Sequence, residues 1–282
     1  MISTTTDTML QPIISTMLEQ ELQYLSVHHL HINRNNNNKD KENTVLQTSS
    51  SFYRSIVDVS TREQICKWIF HIIDRVEMQR ETAIIAMNYL DRFMSTSVPR
   101  ARRARFNRRE YQLVALTCLY IAVKITEPIV MGADMIRELS RGAYSIEAIL
   151  SCERHILASL RWKLNGPTPF QFIDYMLQLL PEDTCINIRS KLAHDARHQV
   201  EVAVHDAACV PLRRSTISIS SVLNSIEDRN SLDKKVEFIQ QISDTVGYDV
   251  EDSPMIKACR KRLQDRSERE STKVKQVKGD AI

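Results

Sequence analysis

Thr61-Arg-Glu-Gln-Ile-Cys-Lys-Trp-Ile69, then Leu90-Asp-Arg-Phe93, then Tyr111-Gln-Leu-Val-Ala-Leu-Thr-Cys-Leu-Tyr-Ile-Ala-Val-Lys-Ile-Thr-Glu127 decide the fold of this chain. Ile65, Trp68, Ile69, Ile72, Ile73 and Val76 recur at i, i+3, i+4, i+7, i+8 and i+11, one face of a 3.6-residue period. Ser60 with Glu63 reads as the capping box that starts this helix. Ala83, Ala86, Met87, Leu90 and Met94 repeat the spacing in a second helix, with Pro99 just beyond its end. The third stretch differs, because from Val114 to Val123 only Thr117 is polar, which leaves no side for water. It is expected to be the central, buried helix of a core.

The third stretch is too short to span a membrane, since its apolar run stops at Lys124 and a spanning helix needs about 20 apolar residues. No charged n-region followed by an apolar run opens the sequence, so a soluble, non-secreted protein is expected. Cys66, Cys118, Cys152, Cys185, Cys209 and Cys259 are scattered without any C-x-x-C and read as reduced core thiols, not as disulfides or a zinc site. The 282 residues, 43% of them hydrophobic, can bury one large core or two modest ones. Only 5 glycines are present and the first is Gly132, which argues for helices joined by short connectors. A formal net charge of +3 is too small to imply a nucleic-acid partner.

The expected organisation is all-α: two tandem five-helix bundles, the second more divergent, between flexible ends. Residues 1–54 are polar and Asn-rich and read as mostly disordered, although Ile13 to Leu25 fits a short helix that docks on the fold. Residues 55–165 form the first bundle and 166–250 the second, which opens at Thr168-Pro169, a helix cap with proline at the first helical position. Further helices are expected at about 186–207, 215–226 and 231–246, and 251–282 reads as a charged, mobile tail.

The fifth helix of the first bundle carries an anomaly. Ile146, Ile149, Leu150, Ile156, Leu157 and Leu160 form an apolar stripe, and Glu153 falls on it. A carboxylate there must be paired or face a partner, because an unpaired buried charge costs about 3–5 kcal/mol. Lys124 is the candidate mate. Either Glu153 neutralises that lysine internally, or both face another protein.

These residues resemble the cyclin family. Arg62, Ile65 and Trp68, Leu90 to Phe93, Gln112-Leu113, Ala122 to Lys124 with Glu127, Glu153 with Ile156-Leu157, and Leu160 with Trp162 and Pro167-Thr168-Pro169 match a cyclin box in order and spacing, of an A- or D-type-like kind, over about Ser60 to Leu180. Beyond Leu180 the sequence is compatible with the more variable second cyclin fold. The resemblance implies a regulatory subunit, not an enzyme and without a cofactor, that binds and activates a cyclin-dependent protein kinase. It implies that Lys124 and Glu153 contact the kinase beside its movable αC helix, and that docking turns that helix inward to complete the catalytic site. Nucleus and cytoplasm are the expected locations.

The family also carries a shallow apolar patch that captures R-x-L peptides of substrates and inhibitors, and Arg62, Ile65, Trp68 and Gln112 occupy matching positions. Thr61 stands where the patch has methionine and His71 where an acid would pair the peptide arginine. Simple core packing of Ile65 and Trp68 is an equal reading. Lys41, Glu42 and Asn43 form a KEN triplet similar to degrons read by the anaphase-promoting ubiquitin ligase. Arg100, Arg102, Arg103, Arg105, Arg108 and Arg109 crowd what reads as a connector, either a solvated loop or a nuclear-import or phosphate-binding cluster. Ser253-Pro254 is a candidate proline-directed phosphosite.

No G-x-G-x-x-G, Walker, H-E-x-x-H or G-x-S-x-G pattern supports an enzyme, and His155, His194 and His198 lack a spaced ligand set. The rival reading is a general transcription factor of the TFIIB type, which uses the same fold to bind DNA and polymerase. The arginine cluster suits it. No zinc ribbon precedes the fold, and the L-x-C-x-E of many D-type cyclins is absent.

Overall fold

A computed structural model describes residues 3–26, 57–129, 131–227 and 234–279. The chain divides into two compact units, one of Ser26–Leu164 and one of Met1–Leu25 with Asn165–Ile282. Both are helical bundles, as expected, and the helices are numbered in chain order from α1, Ser3–Glu21.

In the unit Ser26–Leu164, α2 (Val59–Arg75), α3 (Arg80–Met94), α4 (Pro99–Phe106), α5 (Arg108–Thr126), α6 (Ala133–Leu139) and α7 (Ile146–Ser159) are described. The center is α5, which packs along α3 and α7 and is buried at Tyr111 and at every position from Leu113 to Val123. Thr117, within that run, returns its hydroxyl to the carbonyl of Leu113 at 2.7 Å, so its donor is met inside the helix. The expected central helix is therefore present.

Two local expectations are corrected. The cap of α2 is Asp58, not Ser60: its Oδ1 accepts from the Thr61 amide at 2.8 Å and the Thr61 hydroxyl at 2.7 Å, while Glu63 pairs forward with Lys67 at 3.2 Å. The arginine-rich connector is a helix. Pro99 opens α4 at its first position, and Ala101 and Ala104, three apart, are its buried contacts. Four arginines on this short helix project from alanine-sized contacts, so the apolar stripe is too faint to see in sequence.

In the other unit, α8 (Pro169–Gln178), α9 (Ile186–His205), α10 (Arg214–Glu227), α11 (Lys235–Val246) and α12 (Pro254–Gly279) are joined by α1. The Thr168 cap is a full capping box with Gln171. The counterpart of α5 is α10, buried from Ser215 to Ile226 although more than half of these residues are polar. The hydroxyls of Ser218, Ser221 and Ser225 each bond to the carbonyl four residues back at 2.8 Å, which makes a serine-rich helix compatible with a core.

α1 contributes buried Leu10, Ile14, Met17 and Glu21. Glu21 accepts from the amide of Ser215 at 3.0 Å and from its hydroxyl at 2.5 Å, placing a carboxylate at the positive end of α10. The start of the segment expected to be a tail after Glu251 is corrected, because α12 packs against α10 and α9 and buries Ile256, Cys259 and Leu263, a stripe at i, i+3 and i+7 diluted by charge. Arg262 holds Asp206 through two bonds of 2.6 and 2.9 Å. Five cysteines are buried, and Cys185, just before α9, is exposed.

Candidate functional site

The last turn of α5 and the middle of α7 meet at Lys124 and Glu153, whose Nζ and Oε1 lie 2.6 Å apart. The spacing that put Glu153 on the apolar stripe of α7 buries it beside α5, while Lys124, at the end of the buried run, reaches it from a half-exposed position. Lys124 Nζ also lies 4.6 Å from the centroid of the Tyr120 ring, one turn earlier on α5. Burial would lower the lysine's pKa; the hydrogen bond and charge of Glu153, with a smaller contribution from Tyr120, outweigh it and hold the pKa above its ordinary value. Glu153 accepts this one bond, and its second oxygen has no hydrogen-bond partner among the described residues. Leu150, one turn earlier on α7, and Ile125, next to Lys124, are exposed apolar side chains.

Arg62 lies elsewhere than the surface. It is buried and forms a two-bonded pair with Asp91 of α3, at 2.9 Å from Nε and 2.7 Å from Nη2. Burial opposes its charge, but Asp91 outweighs it and the guanidinium is held more firmly protonated than usual. The hydroxyl of Tyr111, also buried, has no hydrogen-bond partner among the described residues, and burial pushes its pKa far up, so it stays neutral.

The other three residues of the expected peptide patch do come together. Ile65, Trp68 and Gln112 line a cleft of about 480 Å³ whose far wall is the turn from Leu139 to Tyr144. That wall is fastened to α5: the Tyr144 hydroxyl donates to the carbonyl of Arg109 at 2.8 Å, and Arg109 donates to the carbonyl of Ala143 at 3.0 Å. His71 is exposed and does not line the cleft. Sequence reasoning missed Asp91 as the mate of Arg62, although an acid between Met87, Leu90 and Met94 was a signal of the same kind as Glu153. It also missed Arg108 and Arg141 on the cleft, for which no local pattern exists.

The arginine cluster does not act as one group. Arg105 donates to the carbonyls of Met94 at 2.6 Å and Thr96 at 2.8 Å, closing the end of α3, and Arg100 pairs with Glu110 at 2.8 Å. With Arg109 bound to the turn, Arg102, Arg103 and Arg108 are the exposed remainder. Glu127 accepts from the amide of Gln79 at 3.0 Å and from the Thr82 hydroxyl, tying the end of α5 to the start of α3. Lys41, Glu42 and Asn43 lie outside the described residues. Ser253 is half-buried immediately before α12, its carbonyl accepting from Lys257 at 3.0 Å.

Residues 12–165 match the family model of the cyclin N-terminal domain, more than half of the chain. The chain belongs to the cyclin family. Human G1/S-specific cyclin-D1 is 25% identical to it over 171 residues, covering 61% of this chain and 55% of the relative. Cyclin-6 of Saccharomyces cerevisiae is 25% identical over 245 residues, covering 87% of this chain and 56% of the relative. The chain thus spans a little over half the length of these two relatives. Among solved structures, a viral cyclin from herpesvirus saimiri superposes with a TM-score of 0.59 at 17% identity, over 75% of this chain and 87% of that one, a likeness of fold. Within this cyclin, the pair Lys124 and Glu153 and the cleft beside Trp68 are surface features of the unit Ser26–Leu164.

Proposed function

We propose that this cyclin binds and activates a cyclin-dependent serine/threonine protein kinase and serves in cell-cycle control, acting in the nucleus and the cytoplasm. The observation that carries the reading is the state of Glu153, nearly buried yet with an unused acceptor oxygen, and bonded to a lysine that solvent and a partner can reach. Exposed Leu150 and Ile125 beside the pair give a partner apolar surface to cover. A kinase helix docked there is held inward, so that its glutamate pairs with the catalytic lysine; the cyclin contributes contacts and no chemistry. The name of the human relative, a G1/S-specific cyclin, supports the cell-cycle part.

The transcription-factor reading is not favoured, since Arg100 is neutralised by Glu110 and Arg105 and Arg109 spend donors on backbone carbonyls of the bundle, so the cluster it relied on does not act as one basic patch. Affinity capture of the full chain with a panel of cyclin-dependent kinases tests the proposal. Lys124→Ala and Glu153→Ala should each weaken capture by about 2–5 kcal/mol, roughly 30-fold to several thousand-fold. Undiminished capture by both folded variants would sink this interface, and salt-sensitive DNA binding without kinase capture would revive the rival.

A further inference from the structure

The outward face of α9 carries histidines that the kinase reading does not use. Leu192, Ala196, Val200 and Ala203, at i, i+4, i+8 and i+11, are buried where α9 packs on α8, α10 and α12. At about 3.6 residues per turn, His194 and His198 fall on the opposite side of the helix. Both are exposed, and neither imidazole has a hydrogen-bond, ion-pair or ring partner among the described residues.

Side chains four apart on a helix lie one above the other, with Cβ atoms about 5–6 Å apart. Zinc holds an imidazole nitrogen at about 2.0–2.1 Å, so two imidazoles at this spacing can converge on one ion, as the paired histidines of H-E-x-x-H helices do. His194 and His198 lie inside a helix of 20 residues fixed by its buried edge, which sets their separation before any ligand arrives. Glu201, three residues past His198, adds negative charge one turn on, while Lys191, three residues before His194, opposes a cation. His205 is otherwise engaged: its Nδ1 donates to the carbonyl of Glu201 at 2.9 Å.

Among the described residues no three His, Cys, Asp or Glu side chains are grouped to hold a metal, so a closed structural site is excluded and water fills the remaining positions. Imidazole selects the first-row dications Zn2+, Ni2+ and Cu2+ over Mg2+ and Ca2+, which take oxygen ligands. We propose that His194 and His198 form a surface site for one transition-metal dication of this class. The bound ion staples a turn of α9, and its binding free energy adds to the stability of the unit that α9 helps to build. The proposal does not depend on the kinase reading, since Lys124 and Glu153 belong to the other unit.

The test is modification of the full chain by diethyl pyrocarbonate, which acylates accessible imidazoles, with each histidine followed by peptide mass spectrometry. A residue-by-residue measurement is required because His28, His29 and His31, outside the described residues, are a second source of imidazole. Free Zn2+ at about ten times its Kd should slow modification of His194 and His198 together by about tenfold. Mg2+ should slow neither. His194→Ala should abolish the protection of His198, and His198→Ala that of His194; alanine keeps both variants helical. Zn2+ should also raise the melting temperature of a His28→Asn, His29→Asn, His31→Asn chain, and not when His194→Ala is added. Protection of one histidine that survives loss of the other overturns the pair, as does protection of neither or equal protection by Mg2+. A melting shift unchanged by His194→Ala overturns the staple.

Discussion

Arg62 with Asp91 and Lys124 with Glu153 are two ion pairs of one bundle, each between residues 29 apart in sequence and at 2.7 and 2.6 Å. Their side-chain exposures are 2% and 7% in the first and 44% and 11% in the second. The first is closed on itself: two parallel bonds use both carboxylate oxygens. The second uses one oxygen and leaves the other, with the remaining lysine hydrogens, for something else. The difference teaches that a charge on an apolar stripe marks either a lock or a contact, and that hydrogen-bond saturation tells them apart. A third pair refines the point. Asp206 with Arg262 has exposures of 8% and 48%, close to those of the second, yet both Asp206 oxygens are taken and one also accepts from the Ala208 amide. Partial exposure alone therefore does not make a docking site.

The comparison breaks most visibly in stability. Asp91→Ala strands the buried guanidinium of Arg62 and should lower unfolding free energy by about 3–5 kcal/mol in urea titration, whereas Arg62→Met with Asp91→Leu should recover most of that loss. A loss below about 1 kcal/mol for Asp91→Ala would remove the distinction between lock and contact. Glu153→Ala should cost only about 1 kcal/mol in the same titration, because it removes the buried carboxylate and leaves a lysine whose side chain is 44% exposed and open to water. A cost above 3 kcal/mol would return the pair to internal neutralisation.

The smallest effect concerns acid. Burial would raise the pKa of Asp206, but the hydrogen bond from Arg262, the amide of Ala208 and the charges of Arg262 and Arg266 outweigh it and hold it below its ordinary 3.8. Its contribution to stability is thus fully present above that value and lost as pH falls through the lowered folded value. Asp206→Asn should flatten the acid limb of a melting-temperature profile below about pH 4 and leave the limb near neutrality parallel to wild type. An unchanged acid limb would show that the third pair is not a lock.

Much of this was legible before any coordinates. The run Val114 to Val123 announced a central helix because a fully apolar helix has one place to go, and Glu153 stood out because its neighbours at helical spacing are isoleucine and leucine. The counterpart α10 was legible as a helix but not as a core, since Ser215, Ser218, Ser220, Ser221 and Ser225 look solvated until the hydroxyls of Ser218, Ser221 and Ser225 are seen folded back on the helix and those of Ser215 and Ser220 bonded to Glu21 and the carbonyl of Ile256. α4 and α12 were missed as packed helices because two alanines, or three apolar residues among many charges, carry too little burial to register as a stripe. The placement of Arg62 on a surface patch failed for a different reason: its partner is on another helix, and pairings across helices have no period. The position of Arg141 over the cleft depends on a turn with positive φ at a non-glycine residue, which sequence does not signal.

The bond of Glu21 to Ser215 spans 194 residues and has a consequence for synthesis. At about 5–20 residues per second, Ser215 emerges roughly 10–40 s after Glu21. During that interval the whole first bundle can be completed, while α1 waits with Leu10, Ile14 and Met17 uncovered. The nascent chain therefore carries an apolar helix ahead of a bundle to which it does not belong, a natural client for a holding chaperone. A blunt truncation or a bulky tag at the amino terminus would leave the first bundle intact and be felt in the carboxy-terminal one.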